Sequence, residues 1–480
     1  MKTLRPIFFI ILLGFLLRTY KIHERFIFGP EQSISLWPIV RLFEEKKLPL
    51  IGVPLANYQL ALFRAPFFIY IFALPLKLVK FSPLGLGIFF IFISLAVIWI
   101  IYLSTKILFD KKTALLASFL YASNVYLINA DRNVWNYTPI IFCSSLASFL
   151  LIIIFKKKKA NPLFFFLIGC LAGLNFSFHF QAVIMTIILG WLFLRKKGFK
   201  NTLIYFAGIG LFLSPLIIFN LRHNFIMLHG IKKLISTPNI IVRETKTPRE
   251  RLDNGLRSFS DLLFSLLNLP ISNSSLLNKG TIFFIFFLLP GYYLFQKNNS
   301  RKKRDVISYF FLSSFLSLIV LIFINRRFYV STAFYLWFLI PLFVIIWAKF
   351  LLSFTGRFKL LGAILLISYI FSNFYLIFTQ KPGNYQHKLK IIDYVFTQTK
   401  QKPFSLKFIN QDVLSYDYLF YYRAPFYGLK YDNINLVEQW NQANPNIFII
   451  HGEYDWQEDK YQIKPFSKMA DFSGVKVIIK

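Results

Sequence analysis

Residues 86–106 read Leu-Gly-Ile-Phe-Phe-Ile-Phe-Ile-Ser-Leu-Ala-Val-Ile-Trp-Ile-Ile-Tyr-Leu-Ser-Thr-Lys, with no charge before Lys106. A helix needs about 20 mostly apolar residues to cross the hydrocarbon of a bilayer, and this stretch has both the length and the composition. Similar runs recur outward from it, at residues 6–22, 113–128, 137–155, 162–178, 180–194, 202–220, 281–295, 306–324, 330–348 and 359–378. The whole chain is 56% apolar, above the roughly 45–50% of a soluble domain. The expected fold is therefore an all-α polytopic membrane bundle of about eleven transmembrane helices.

Loop charge sets the expected topology, because Lys and Arg collect in cytoplasmic loops. The 6–22 run follows Lys2 and Arg5 and is not followed by a small-residue cleavage site, so it reads as a retained first helix with a cytoplasmic N-terminus. The run 64–79 is ambiguous. Treated as a membrane-resting or re-entrant helix in the first outer loop, it leaves five basic stretches inside: Asp110-Lys111-Lys112, residues 156–159, Arg195-Lys196-Lys197, residues 301–304, and Lys349 with Arg357. Treated as a full crossing, it would put all of them outside. The first treatment leaves three segments facing outward (residues 21–84, 129–136 and 222–279), together with the tail. That tail, from about residue 380, changes character. It has a helix-like stretch at 385–398 and strand-like stretches at 405–409, 446–451 and 475–479, which read as a small extracytoplasmic α/β domain. The expected division is a membrane domain at 1–379 and an outer domain at 380–480, in a multi-pass protein of the plasma membrane.

The net charge of +34 would suggest nucleic acid in a soluble protein. Here the basic residues bracket apolar runs, so no nucleic-acid partner is expected; the partner is the bilayer. Cys143 and Cys170 both lie in apolar runs, which disfavours a disulfide and gives no metal spacing. There is no GxxxxGK[ST], GxGxxG in a βαβ setting, HExxH or CxxC, which disfavours an ATP-driven pump.

The candidate functional residues lie on the outer side. Phe28-Gly29-Pro30-Glu31-Gln32-Ser33 leads into an amphipathic stretch at 34–43. Pro30 and Glu31 suit a helix N-terminus, and Glu31 is equally placed to be a base or a substrate clamp, with Gln32 beside it. The turn Asn129-Ala130-Asp131-Arg132-Asn133-Val134-Trp135-Asn136 packs an acid, a base and amides between two apolar helices, where polar groups are costly. It is read either as a site or as a solvated interfacial turn. His179 interrupts a pair of apolar runs, as a ligand-facing or a core histidine. Arg222, His223, Arg326 and Arg327 are cations on the side where the charge rule disfavours them, so each calls for a carboxylate or phosphate partner.

These segments, in order, resemble the membrane-embedded glycosyltransferases of the GT-C type, in the family 39 branch of protein O-mannosyltransferases and aminoarabinose transferases. The resemblance covers roughly residues 1–230. It rests on Phe28–Gln32, Leu48-Pro49-Leu50-Ile51-Gly52, Phe81-Ser82-Pro83-Leu84-Gly85, Asp131–Asn136, Gly173-Leu174-Asn175-Phe176 running to His179, and Pro215 to His223. It implies membrane-resting helices in the first outer loop and an appended outer domain. It also implies transfer of a sugar, with inversion, from a polyprenyl-phosphate carrier to an extracytoplasmic lipid, glycan or protein acceptor. The family usually has an aspartate at or beside Glu31; this chain has none there.

By this resemblance Glu31 is the catalytic base. Asp131 is a second acid that orients the acceptor or binds a cation. Gln32, Arg132, Asn136, His179, Arg222, His223, Arg326 and Arg327 would bind substrate, with the cations neutralising the departing phosphate. No cofactor is fixed. A divalent cation is compatible with the superfamily, although no dedicated ligand cluster is visible. Two rival readings share this sequence. A secondary transporter or flippase would show charges mid-helix and related halves. A glycan polymerase of the envelope would use the same class of lipid-linked substrate.

Overall fold

The structure is a computed structural model. It describes the chain apart from residues 1–4, 55–59, 158–159, 237–246, 268–284, 286–287, 298–299, 325–332, 355–358, 400–401, 410–411, 432–433, 437–446, 453–462, 464 and 480. The expected crossings at 281–295 and 330–348 each begin among the residues left out.

The first part of the chain is helical. It runs through α1 (Arg5–Thr19), α2 (Ile22–Arg25), α3 (Pro30–Glu45), α4 (Phe67–Leu78), α5 (Pro83–Leu108), α6 (Lys111–Ser123), α7 (Val125–Arg132), α8 (Thr138–Lys156), α9 (Pro162–Phe178), α10 (Val183–Lys197) and α11 (Phe199–Arg222). It continues through α12 (Ile226–Ser236), α13 (Pro248–Leu267), α14 (Leu289–Lys297), α15 (Arg301–Ile324), α16 (Ile340–Leu351) and α17 (Lys359–Thr379). Among the described residues five helices are long and apolar enough to cross a bilayer: α5, α8, α11, α17 and the Lys303–Ile322 part of α15. The bent pair α6 and α7 passes the same test of length and composition when the two are taken together. The expected count of about eleven is thus reached only by adding shorter helices such as α9, with 17 residues, and α10, with 15. The ambiguous 64–79 run folds as the 12-residue α4. At 1.5 Å per residue it falls well short of the roughly 30 Å hydrocarbon core.

The 113–128 run, expected as one crossing, bends by 62° between α6 and α7. Asn124 causes the break. It takes an extended ψ of 120°, and its side chain accepts from Leu127 N at 3.0 Å, so it caps a new helix instead of continuing the old one. Its amide donates to Leu266 O at 2.8 Å, while Asn373 Oδ1 takes Val125 N at 2.8 Å. In consequence Asn129 to Arg132, expected as a turn, are helical.

Bundle packing depends on small residues where helices cross closely. At the α9–α11 crossing a Cβ on Gly169 would sit 2.0 Å from Tyr205 O, and one on Gly208 would sit 2.3 Å from Phe166 O. Any larger residue must push the helices apart.

The basic loops gather at one end. Lys349 pairs with Asp110 at 2.9 Å and Lys196 with Asp305 at 3.1 Å. Lys197 donates to Ile154 O at 3.1 Å, and both Lys303 and Lys349 lie over Phe109.

The tail folds as α18 (Tyr385–Thr399), β1 (Phe404–Ile409), α19 (Val413–Arg423), β2 (Ile434–Leu436), β3 (Ile447–His451), β4 (Lys468–Phe472) and β5 (Val475–Ile479). The sheet order is β2-β1-β3-β5-β4, parallel from β2 to β3 and antiparallel across β5 and β4. Fully buried Ile447, Phe448, Ile449 and Ile450 make β3 the centre. The three strand-like stretches of the sequence correspond to β1, β3 and β5. The edge strands β2 and β4 are short or exposed, and carry no comparable apolar signal.

Candidate active site

The first loop is shaped by its own residues. Gly29 is extended and caps α3, Pro30 opens the helix, and Gln32 Oε1 accepts from Gly29 N at 2.8 Å. The helix buries Gln32, Ser33, Ser35, Leu36, Ile39 and Val40, and leaves Glu31 exposed at its first turn.

Within electrostatic reach of Glu31 is a residue that the sequence presents only as the edge of the 64–79 run. A backbone bridge, Gly52 N to Arg64 O at 2.7 Å and Arg64 N to Val53 O at 3.1 Å, fixes Arg64 just before α4. Its side chain is 8% exposed, lies 5.7 Å from the centre of the Tyr137 ring and hydrogen-bonds Tyr137. Burial pushes the guanidinium below its ordinary pKa, opposed by Tyr137 and then by the charge of Glu31. An arginine keeps its proton regardless, so the cost of burial falls on the site as a demand for negative charge. Glu31 also acts electrostatically on Tyr137 and Tyr335.

An aromatic wall surrounds this pair. His179, 1% exposed, lies tilted 4.6 Å from the Tyr137 ring and edge-on 5.3 Å from that of Tyr335, and Trp135 stacks 6.3 Å from Trp337. Two buried donors of the site have no protein partner among the described residues: Arg64 Nε and Gln32 Nε2. The Arg64 pocket shares Gly52, Val53 and Ile69 with a cavity of about 650 Å³. That cavity runs along α3 past Trp37, Arg41 and Glu44 to Asp417 and Tyr431 of the C-terminal domain.

The other expected site residues are disposed as follows. Asp131 is 2% exposed and sits inside the bundle on α7. Arg18 Nε and Nη2 donate to its Oδ2 at 3.0 and 2.7 Å, and the Tyr121 hydroxyl reaches it at 3.2 Å. Arg132 donates to the carbonyls of Arg18, Leu17 and Tyr20, which caps the C-terminus of α1. Asn136 lines the Arg64 pocket and donates to Phe178 O at 2.9 Å, next to His179. Arg222 and His223 are exposed at the end of α11. The His223 ring stacks 4.1 Å from Phe219, which touches Phe63 beside Arg64. Arg326 and Arg327 lie outside the described residues. The site thus joins Glu31, Gln32, Asn136 and His179 to Arg64, Tyr137 and Tyr335, while Asp131 and Arg132 are engaged with α1. Among the described residues no three His, Cys, Asp or Glu side chains converge to hold a metal.

A sequence model of the dolichyl-phosphate-mannose-protein mannosyltransferase family matches residues 64–219, a stretch that begins at Arg64 and contains Tyr137 and His179. The solved structure of ArnT from Cupriavidus metallidurans in the apo state superposes with a TM-score of 0.58 at 11% identity, over 97% of this chain and 95% of that one. The fold is that of the GT-C type membrane glycosyltransferases. ArnT bound to undecaprenyl phosphate shares it with a TM-score of 0.57 at 10% identity, over 98% and 97% of the two chains. So does the oligosaccharyltransferase of Archaeoglobus fulgidus in complex with zinc and sulfate, at 0.52 and 12%, over 93% and 68%. No curated protein sequence matches the chain. Within the GT-C fold the first loop, α4 and the α8–α10 region supply the pocket described above.

Proposed function

We propose that this chain is a glycosyltransferase that moves a sugar from a polyprenyl-phosphate carrier to an extracytoplasmic hydroxyl acceptor, with inversion. The observation that carries the proposal is the buried Arg64 guanidinium, whose Nε has no partner among the described residues, within electrostatic reach of the exposed Glu31 carboxylate. A buried cation with spare donors suits a phosphate, and a nearby carboxylate suits a base.

In the proposed step the acceptor hydroxyl oxygen bonds to the anomeric carbon. The bond from that carbon to the phosphate oxygen breaks, and its electron pair stays on the phosphate. The hydroxyl proton passes to Glu31. Arg64 and Gln32 stabilise the charge that develops on the leaving phosphate, and Asn136 and His179 shape the pocket. Exposed Arg222 and His223 form an outer cationic rim. Asp131 acts through Arg18 to hold α7 and the turn that follows it. No step runs through a metal. The cavity between α3 and the C-terminal domain is the acceptor's approach. The gathering of basic loops at one end supports an orientation with that end and the N-terminus in the cytoplasm, and residues 380–480 outside.

Support for a lipid-linked donor comes from the shared fold with ArnT bound to undecaprenyl phosphate. The test uses purified protein in vesicles with a radiolabelled polyprenyl-phosphate sugar. Glu31→Gln is expected to stop transfer while the protein still binds the carrier phosphate. Wild-type transfer by Glu31→Gln would overturn the proposal.

A further inference from the structure

The residues leading to Glu31 are held by the C-terminal domain as well as by the bundle, where Arg25 donates to Ile377 O. Gly383 N donates to Glu24 O at 2.7 Å, Tyr385 N to Phe26 O at 3.3 Å, and Phe28 N to Asn384 Oδ1 at 2.8 Å. Ser33 Oγ donates to Leu414 O at 2.6 Å. The approach is close: a Cβ on Gly383 would sit 2.2 Å from Phe26 O. Rings reinforce the contact, with Phe26 5.1 Å from Tyr385 and Phe28 5.5 Å from Tyr418.

One buried charge closes the arrangement. The Lys388 ammonium, on α18, donates to Phe28 O at 3.0 Å, to Asp412 Oδ2 at 2.9 Å and to Ser415 Oγ. A lysine has three N–H groups, so all are spent, and one of them is spent on the first loop. Asp412 caps α19 by accepting from Ser415 N at 3.1 Å, so the ion pair also fixes where that helix begins. Lys388 is 6% exposed, and burial pushes its pKa down against the pull of Asp412. Burying such a pair is an inefficient source of stability, since a well-packed apolar pair of similar volume often does as well. What the apolar pair cannot supply is the bond to the Phe28 carbonyl. That carbonyl immediately precedes Gly29, the residue that caps α3 and orients Glu31.

We propose that Lys388 is a positioning residue for Glu31: it anchors the Phe28 carbonyl and thereby sets the start of α3 and the aim of the carboxylate. The inference rests on the reading of Glu31 as the base, and makes the C-terminal domain part of the catalytic geometry. The test uses the full chain in nanodiscs, with hydrogen exchange of peptides covering residues 24–33 alongside transfer kinetics. Lys388→Met/Asp412→Leu removes the bond without stranding a charge. It is expected to speed exchange at residues 26–33 while leaving 129–136 unchanged, and to lower kcat by roughly ten- to a hundredfold, the cost of a misplacement near 1 Å, with KM for the donor unmoved. Lys388→Arg is expected to restore part of kcat. The control is Arg423→Met, which breaks the 2.6 Å ion pair with Asp393 inside the same domain but away from the loop, and is expected to change neither readout. Unchanged exchange at 26–33 in the double variant overturns the proposal, as does equal loosening of that loop by Arg423→Met. Because exchange is read without turnover, a Glu31→Gln variant that remained active would sink the catalytic reading and leave this result distinguishable from it.

Discussion

Two acid–arginine pairs in this molecule use the same chemistry to opposite ends. Asp131 and Arg18 meet inside the bundle with side chains 3% and 0% exposed, and every strong donor and acceptor of the contact is spent on protein. At the first loop Glu31 is exposed, Arg64 is buried with a free Nε, and the two influence each other through space. A saturated pair is architecture. An unsaturated one, opening towards a cavity, is fit to receive a charged ligand. Residue type does not separate the two cases; burial and spare hydrogen-bonding capacity do.

Substitutions can break this contrast. Glu31→Gln is expected to cost about 10²–10⁴ in transfer rate with no change in thermal unfolding, as measured by carrier-dependent labelling and a melting curve in the same detergent. Asp131→Ala strands the Arg18 charge and is expected to destabilise the protein by about 3–5 kcal/mol, read as a lower melting temperature, with transfer per folded molecule retained. Replacing both partners, Arg18→Met with Asp131→Leu, is expected to recover most of that loss. If the single variant lost turnover without losing stability, Asp131 would belong with Glu31 after all. Arg64→Lys keeps the charge but not the planar fork. A tenfold or greater weakening of polyprenyl-phosphate binding is expected, read by titration of the carrier.

The smallest effect is expected at the basic end. There burial raises the Asp110 carboxyl, but the Lys349 ammonium and the Thr113 N–H and hydroxyl outweigh it and hold the carboxyl down to about 2. A depressed carboxylate contributes stability above its unfolded pKa and loses it as pH falls through the folded one. The contribution therefore fades between about pH 4 and pH 2. The pair is part exposed, so Asp110→Asn should cost less than about 1 kcal/mol, and only above that window. Equal acid sensitivity in the variant and the parent would remove the pair from the stability account.

The sequence made the helical bundle, the start of α3 and the three better strands of the C-terminal domain legible, because apolar run length, Pro-Glu at a helix start and alternation are local signals. The exposed first-turn position of Glu31 was legible for the same reason. It did not expose Arg64, because one arginine at the edge of an apolar run looks like a flank until its neighbours are known. Nor did it show that Asp131 is bonded to Arg18, because that partner lies 113 residues away. Asn124 ended a helix within a continuous apolar run because its side chain found Leu127 N, a competition that run length cannot register.

The Arg18–Asp131 contact also imposes an order on synthesis. The α1 helix leaves the ribosome carrying a guanidinium whose carboxylate partner, Asp131, emerges more than a hundred residues later. A buried guanidinium without its carboxylate is costly, and the carbonyls at the end of that helix likewise wait for Arg132. The last turn of α1 therefore completes its hydrogen bonds only with residues of α7, made more than a hundred positions later.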